Sequence, residues 1–362
     1  MPVRVFYSRQ YVGAGYAFDT TRKAKWIADS LAESPIPGIE LIAPTPLTRK
    51  QVAAVHDPRY VQAIETGVPR DLAESQKFSW DAGLWPMVLA SNGGVVAAAH
   101  AALEHGVAGT LSGGLHHARY AHGAGFCTFN GLVIAAKSAL AAGAKSILIL
   151  DLDAHCGGGT ASLIADEPRI RQLDVSVDSY DAYPDSEQAR LVMVKNSSEY
   201  LPTVRRLLDE VCHQASSFDL VLYNAGMDPS ELCAIGGLAG ITQEILAERE
   251  RMVFEWSCNR RLPIAFVMAG GYVGLDLDER GLANLHRLTL SAALTWCRVA
   301  REIQFLHGTK ITRAHKSPLA GWLCLQGCIA EERRYFDCDR DRAGSRCDFK
   351  DTCQGFGAKG HY

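Results

Sequence analysis

What the sequence lacks narrows the field first. No run of about 18 apolar residues occurs, so no membrane span is expected. Residues Met1 to Tyr7 have neither the basic segment nor the apolar core of a secretory leader. Neither sign of charge dominates: 37 Lys+Arg stand against 40 Asp+Glu, and no stretch forms a basic stripe. A nucleic-acid partner is therefore not expected. The 11 cysteines are odd in number, and Cys127, Cys156, Cys212, Cys233, Cys258 and Cys297 are scattered through helix- and strand-like text. Without a leader, the expectation is reduced thiols in a cytoplasmic protein, not a disulfide framework.

What is present is a long alternation of β-like and helix-like segments. At 362 residues and 48% hydrophobic content, the chain can bury one large core or two ordinary ones. Strands are predicted at Val3–Tyr7, Gly109–Leu111, Ser146–Leu150, Asp174–Val177, Asp219–Asn224 and Ile264–Met268. Helices are predicted at Thr21–Glu33, Trp85–His105, Gly131–Ala142, Val204–Ala215 and Gln243–Asn259, the first capped by Asp19-Thr20-Thr21. Apolar strands alternating with helices indicate an α/β fold: a single large domain with a mainly parallel sheet flanked by helices. That domain is expected over residues 1–300. From 301 to 362 the periodicity fades into a Cys-rich extension. There Cys324, Cys328, Cys338, Cys347 and Cys353, with His315, do not space like a regular zinc knuckle, so a plain tail is the safer reading.

Polar residues fall where strands end. One strand runs into Gly113-Gly114-Leu115-His116-His117, another into Asp151-Leu152-Asp153-Ala154-His155, a third into Asn224-Ala225-Gly226-Met227-Asp228 and a fourth into Ala269-Gly270-Gly271-Tyr272. Ligands of open α/β sheets bind outside the carboxyl ends of strands, so these loops could converge on one site. Strand alternation would put Asp151, Asp153 and His155 on one face, and carboxylate and imidazole both ligate zinc at about 2.0–2.2 Å. Tandem histidines suit proton transfer better than joint ligation of one metal. Taken singly, a His pair reads equally as a solvated loop, Asp228 as a helix cap and Gly-Gly-Tyr as a common turn.

Together, and in this order, they resemble the histone deacetylase and acetylpolyamine amidohydrolase superfamily. The motifs carrying the resemblance are Gly113–Ala118, Gly125-Phe126-Cys127-Thr128-Phe129-Asn130, Asp151–His155, Ala225–Asp228 and Gly270–Tyr272, with His56–Tyr60 as an upstream element. The resemblance covers residues 1 to about 300 and implies an arginase/deacetylase-like fold with its active site at the carboxyl ends of the strands. It implies one zinc ion on Asp153, His155 and Asp228. His116 and His117 would orient and deprotonate the attacking water, Asp151 would support His116, and Tyr272 would hydrogen-bond the carbonyl oxygen. Gly125, Phe126, Tyr183 and Gly271 would wall the channel for an acylated amine. A potassium ion near Asp151, Asp153, His155 and Ser176 is also implied. Two carboxylates neutralise Zn²⁺, so its water should be less acidic than in a three-histidine site; a separate base and a separate oxyanion donor are needed.

The sequence departs from the family pattern at Gly158, where many members carry the Asp or Asn behind the second histidine. His117 is therefore expected to lack that partner, and Gly158→Asp to restore it. Cys156 stands where a second histidine is common, and the His-Pro-Glu-Arg pattern of many relatives is absent. The implied reaction is hydrolysis of an acyl-lysine amide. The alternatives are an acetylpolyamine or other small N-acyl amine, for which the apolar Ile235-Gly236-Gly237-Leu238 offers no carboxylate although Glu231 could serve, and a non-catalytic acyl-lysine reader. A two-manganese arginase-type site is disfavoured by the single Asp-x-His strand end.

Overall fold

A computed structural model describes residues 2–15, 18–213 and 218–313. In chain order the elements are β1 (Val3–Phe6), α1 (Asp19–Glu33), β2 (Ile39–Ile42), α2 (Arg49–Ala53), α3 (Pro58–Thr66), α4 (Arg70–Ala73), α5 (Leu84–His105), β3 (Val107–Thr110) and α6 (Gly131–Ala141). Then come β4 (Ile147–Asp151), α7 (Gly158–Ile164), β5 (Ile170–Ser176), β6 (Ala189–Met193), α8 (Ser197–His213), β7 (Leu220–Ala225), α9 (Gln243–Asn259), β8 (Ile264–Met268) and α10 (Glu279–Arg313). The strands form one eight-stranded sheet in the order β2-β1-β3-β8-β7-β4-β5-β6. Every pairing is parallel. The chain divides into two units, Met1–Phe305 and Leu306–Tyr362. The tail cysteines and His315 lie outside the described residues.

Period-two alternation explains why helices cover both faces. Leu148, Leu150, Val221, Tyr223, Ile264, Phe266 and Met268 join one buried cluster with residues of α1, α8, α9 and α10. Their strand neighbours Ile147, Ile149, Leu220, Leu222, Ala265 and Val267 join a second, with α3, α5 and α6. Each such aliphatic side chain taken out of water stabilises the fold by about 1.5–3 kcal/mol. Helix α5 is long and apolar enough to cross a bilayer, but 67% of its most apolar window is buried inside the fold. Its apolarity on all sides therefore serves the core.

Differences from the expected elements have local causes. Strands β2 and β6 lie at the sheet's two edges and are mostly half-exposed, so they lack the apolar run of a central strand. Helix α8 begins seven residues before its expected start, with Pro202 in its interior. At α1 the cap is not side-chain chemistry: Phe18 is the N-cap and makes no such bond. Asp19 instead accepts from the Val273 backbone N–H at 3.1 Å, tying α1 to the loop after β8.

A buried arginine on α9 fixes two strand ends. Arg249 is fully buried and donates to the carbonyls of Leu152 (3.2 Å) and Gly226 (2.7 Å), to the Tyr200 hydroxyl and to Glu250. Tyr223 donates to the same Glu250 oxygen at 2.6 Å. Removing one partner of a buried pair strands the other charge, at about 3–5 kcal/mol. Arg249→Met is expected to lose that much in urea denaturation, with Arg249→Met/Glu250→Leu recovering a large part. A single variant as stable as the parent would show that the pair carries no such role.

Candidate active site

Strands β3, β8, β7 and β4 are consecutive neighbours in the sheet, and the four polar loops leave their carboxyl ends. The topology thus brings together segments as far apart in the chain as Gly113–His117 and Gly270–Tyr272, as expected for an open parallel sheet. Strand alternation does not explain the second loop, because β4 ends at Asp151. Beyond it a turn is held by side chain to backbone bonds: Asp151 accepts from Asp153 N (3.2 Å) and Asp153 from His155 N (3.0 Å).

Asp153, His155 and Asp228 are all buried, and each offers a ligand atom within 4.8 Å of the others. Asp228 also accepts from Ala154 N at 3.0 Å, and Asp153 from Gly270 N at 2.6 Å. Glycine is required at 270, since a Cβ there would stand 2.6 Å from Asp153 Oδ2. Burial and the adjacent Asp153 push the Asp228 carboxyl up. Burial alone would lower His155, but the two carboxylates outweigh it and push it up to about 11. Two carboxylates and an imidazole converging this closely, and pulling this strongly on positive charge, fit a divalent metal ion bound through nitrogen and oxygen.

The two histidines sit in opposite electrostatic states. His116 Nδ1 meets Asp151 Oδ2 at 2.8 Å, and Asn224 donates to the other Asp151 oxygen at 2.8 Å. Burial works against a charge on His116, but Asp151 and Asp153 prevail and push it up to about 10. His117 goes down to about 4, through burial and the neighbouring His116. The two Nε2 atoms are 3.1 Å apart. A charged His116 therefore donates to a neutral His117, whose own Nδ1–H faces a carboxylate at 2.9 Å. Pairs with pKa values pushed apart are the arrangement acid–base catalysis uses.

Above this group opens a cavity of about 420 Å³. His117, His155 and Tyr272 line its floor side, while Gly125, Phe126 and Tyr180 wall it. Phe126 is held by stacking on Phe18, with ring centroids 4.0 Å apart. The Tyr272 ring crosses that of His155 at 6.0 Å, and burial with Asp228 and Asp153 holds its phenol well above 10, hence protonated.

Residues 18–286 match the family model for the histone deacetylase domain. The chain belongs to the histone deacetylase family. An uncharacterised protein of Picosynechococcus is 33% identical over 262 residues, covering 70% of this chain and 83% of that one. Histone deacetylase 2 of Arabidopsis thaliana is 32% identical over 193 residues, and a probable deacetylase of Archaeoglobus fulgidus 32% over 150. The alignments cover 50% and 40% of this chain, and only 48% and 41% of those two named deacetylases. In fold, the crystal structure of the HDA15 HD domain superposes with a TM-score of 0.67 at 19% identity, covering 82% of this chain and 90% of that one.

Within this deacetylase fold, three expected positions need correction. Tyr183 is not among the residues lining the cavity: its hydroxyl bonds Gln172 (2.9 Å) and Asp174 (3.2 Å) instead. Tyr180 takes that place, its ring 5.0 Å from that of His117. Gly271 is not among the lining residues; at φ +154 it backs onto α10, where a Cβ would meet Leu282 at 2.7 Å. His117 does not lack a carboxylate, because Asp181 supplies it from the segment after β5. Ser176, expected beside a potassium ion, donates to Asp174 at 2.5 Å.

The sequence reading missed Asp174, Asp181, Asn224 and Lys23. Lys23 is fully buried on α1; burial pulls its ammonium down to about 8 against the attraction of Asp228 and Asp153. Asp174 and Ser176 alternate along β5 toward Asp151, a pattern legible in the sequence; Lys23 and Asp181 gave no signal of their own. Asp228→Ala is expected to lose its bound divalent metal ion, measured by elemental analysis after gel filtration, with an unchanged far-UV spectrum. Full metal retention would remove Asp228 from the ligand set.

Proposed function

We propose that this chain is a zinc-dependent deacylase that hydrolyses the amide of an acylated lysine side chain, releasing a carboxylate and a free amine. The observation that carries it is the convergence of Asp153, His155 and Asp228 with His117 and Tyr272 at one apolar-walled cavity. Zinc suits three nitrogen and oxygen ligands that leave a position open. Bound there, it would supply Lewis acidity to the acyl carbonyl and make water more acidic.

The chain's own groups do the rest. His117 Nε2 carries no proton because Nδ1–H faces Asp181; it exchanges the His116 hydrogen bond for the attacking water and accepts the water's proton. Asp151 keeps the His116 imidazolium in place beside it, stabilising the negative charge that builds up. The protonated Tyr272 phenol donates to the carbonyl oxygen as that oxygen becomes anionic. His117 then returns its proton to the nitrogen of the departing amine, restoring the starting state. Phe126 and Tyr180 confine an extended aliphatic chain and keep bulk water from the reacting carbonyl.

The cavity mouth favours a lysine side chain over a polyamine. Its charged lining residues there are Lys77 and Asp178, one of each sign, beside half-exposed Tyr180 and Ile235. Asp178 there is offset by Lys77, so no net negative charge gathers the further ammonium groups of a polyamine. Glu231, the carboxylate that could have received them, accepts from Gly240 N at 2.8 Å and does not line the cavity. The zinc-loaded protein should hydrolyse an acetyl-lysine peptide with higher kcat/KM than acetylputrescine or acetylspermidine; the reverse order would move the substrate to polyamines. Inactivity toward every member of an acyl-lysine and acylpolyamine panel would leave a binding protein. Tyr272→Phe should lower kcat by roughly 10²-fold, the scale of one oxyanion donor, at constant zinc content.

A further inference from the structure

The turn after β5 carries two side chains that meet the same histidine. Asp181 Oδ2 lies 2.9 Å from His117 Nδ1 and accepts from Gly159 N at 3.1 Å. Its other oxygen is ion-paired with Arg119, which also donates to the Gly158 carbonyl at 3.4 Å. The carboxylate is thus clamped between the histidine loop and the start of α7, and its side chain is only 9% exposed. Asp181 adopts φ +61 to reach this place, a conformation L side chains seldom take and one that needs surrounding contacts to hold it. Gly158 explains the opening: a Cβ there would stand 2.6 Å from Asp181 Oδ1. The missing side chain at 158 and the incoming one from 181 occupy the same space.

Tyr180, the adjacent residue, is half-exposed and lines the cavity, with its ring perpendicular to that of His117. Its carbonyl accepts from Cys156 N at 3.0 Å, and Asp178 accepts from Tyr180 N at 2.8 Å. One short turn therefore links the cavity wall to the histidine's partner. Resting on the deacylase reading above, we propose that Asp181 is the positioning residue for His117, and that Tyr180 couples occupancy of the cavity to that histidine's orientation.

A hydrogen bond from Nδ1–H to Asp181 fixes the tautomer with Nε2 bare. Asparagine at 181 can turn either its oxygen or its amide toward Nδ1 and no longer enforces that choice. Asp181→Asn is expected to lower kcat by about 10- to 100-fold, the range seen for groups that orient a site from behind, with KM and zinc content little changed. Gly158→Ala should reproduce the loss by expelling the carboxylate. In Asp181→Ala, added formate should restore activity saturably, a response that a merely structural role would not give. Nitrogen-15 NMR of the metal-free protein provides a readout independent of turnover. The His117 ring should report the Nδ1–H tautomer in the parent and a mixture in Asp181→Asn, and Tyr180→Ala should shift it the same way. A parent with Nε2–H, or an Asp181→Asn variant with normal kcat, overturns the positioning role. An unmoved His117 signal in Tyr180→Ala overturns the coupling. Inactivity of the parent on all acyl amines sinks the deacylase reading instead, while the NMR signals still decide both parts of this one.

Discussion

Two carboxylates buried side by side, Asp153 and Asp228, are the constraint around which the rest is arranged. Taking each ion out of water costs several kcal/mol unless donors replace the solvent. The chain replaces it mainly with backbone: Gly270 N and His155 N serve Asp153, and Ala154 N serves Asp228. At position 270 the approach also needs glycine, because a Cβ there would stand 2.6 Å from Asp153 Oδ2. The backbone donors must also be held in place, and Arg249 does so from α9 by binding the carbonyls of Leu152 and Gly226, one in each ligand-bearing loop. Buried Lys23 adds a positive charge from α1. A parallel sheet suits this arrangement, since it lets neighbouring strands end in loops on the same side.

The central strands were legible because burial on both faces leaves short uninterrupted apolar runs, and β8 falls where expected. Edge strands escape that logic. β2 and β6 have one neighbour each and a partly wet face, so their composition resembles that of loops. Long α10 escaped although Asp278 caps its start by accepting from Gly281 N at 2.7 Å: its charged and apolar residues mix along the helix. Arg249 and Lys23 show the deeper limit. On a helix, a charged residue reads as solvent-facing, and only the fold reveals that these two point inward at carbonyls and carboxylates.

In the site, what sequence reveals is set by covalent closeness. Asp151, Asp153 and His155 announce themselves at spacing two, and His116 and His117 as a tandem, although the turn that joins the first three is held by side-chain bonds and not by strand geometry. Asp181 lies 64 residues from the histidine it meets, in a stretch with no motif of its own. A gap at Gly158 was visible; what fills it was not. The inference from a missing side chain to a missing interaction fails here because space opened at one position was taken by another segment.

The two histidines differ less in chemistry than in anchorage. His116 is bonded to Asp151 at the end of β4, and Asp151 in turn to Asn224 near the end of the neighbouring β7, so its orientation is set by the sheet. His117 is bonded to a turn that also forms the cavity wall. Adjacent residues thus have different supports: one is tied to the end of a central strand, the other to a segment that also lines the cavity. The proton order follows from the same asymmetry. Asp151 and Asp153 both act on His116 and retain its charge, while His117, facing that charge and one carboxylate shared with Arg119, stays neutral. Sharing with Arg119 matters, because an undivided carboxylate would favour protonation of His117 more strongly. His116 therefore holds charge, and His117 is left neutral to accept a proton.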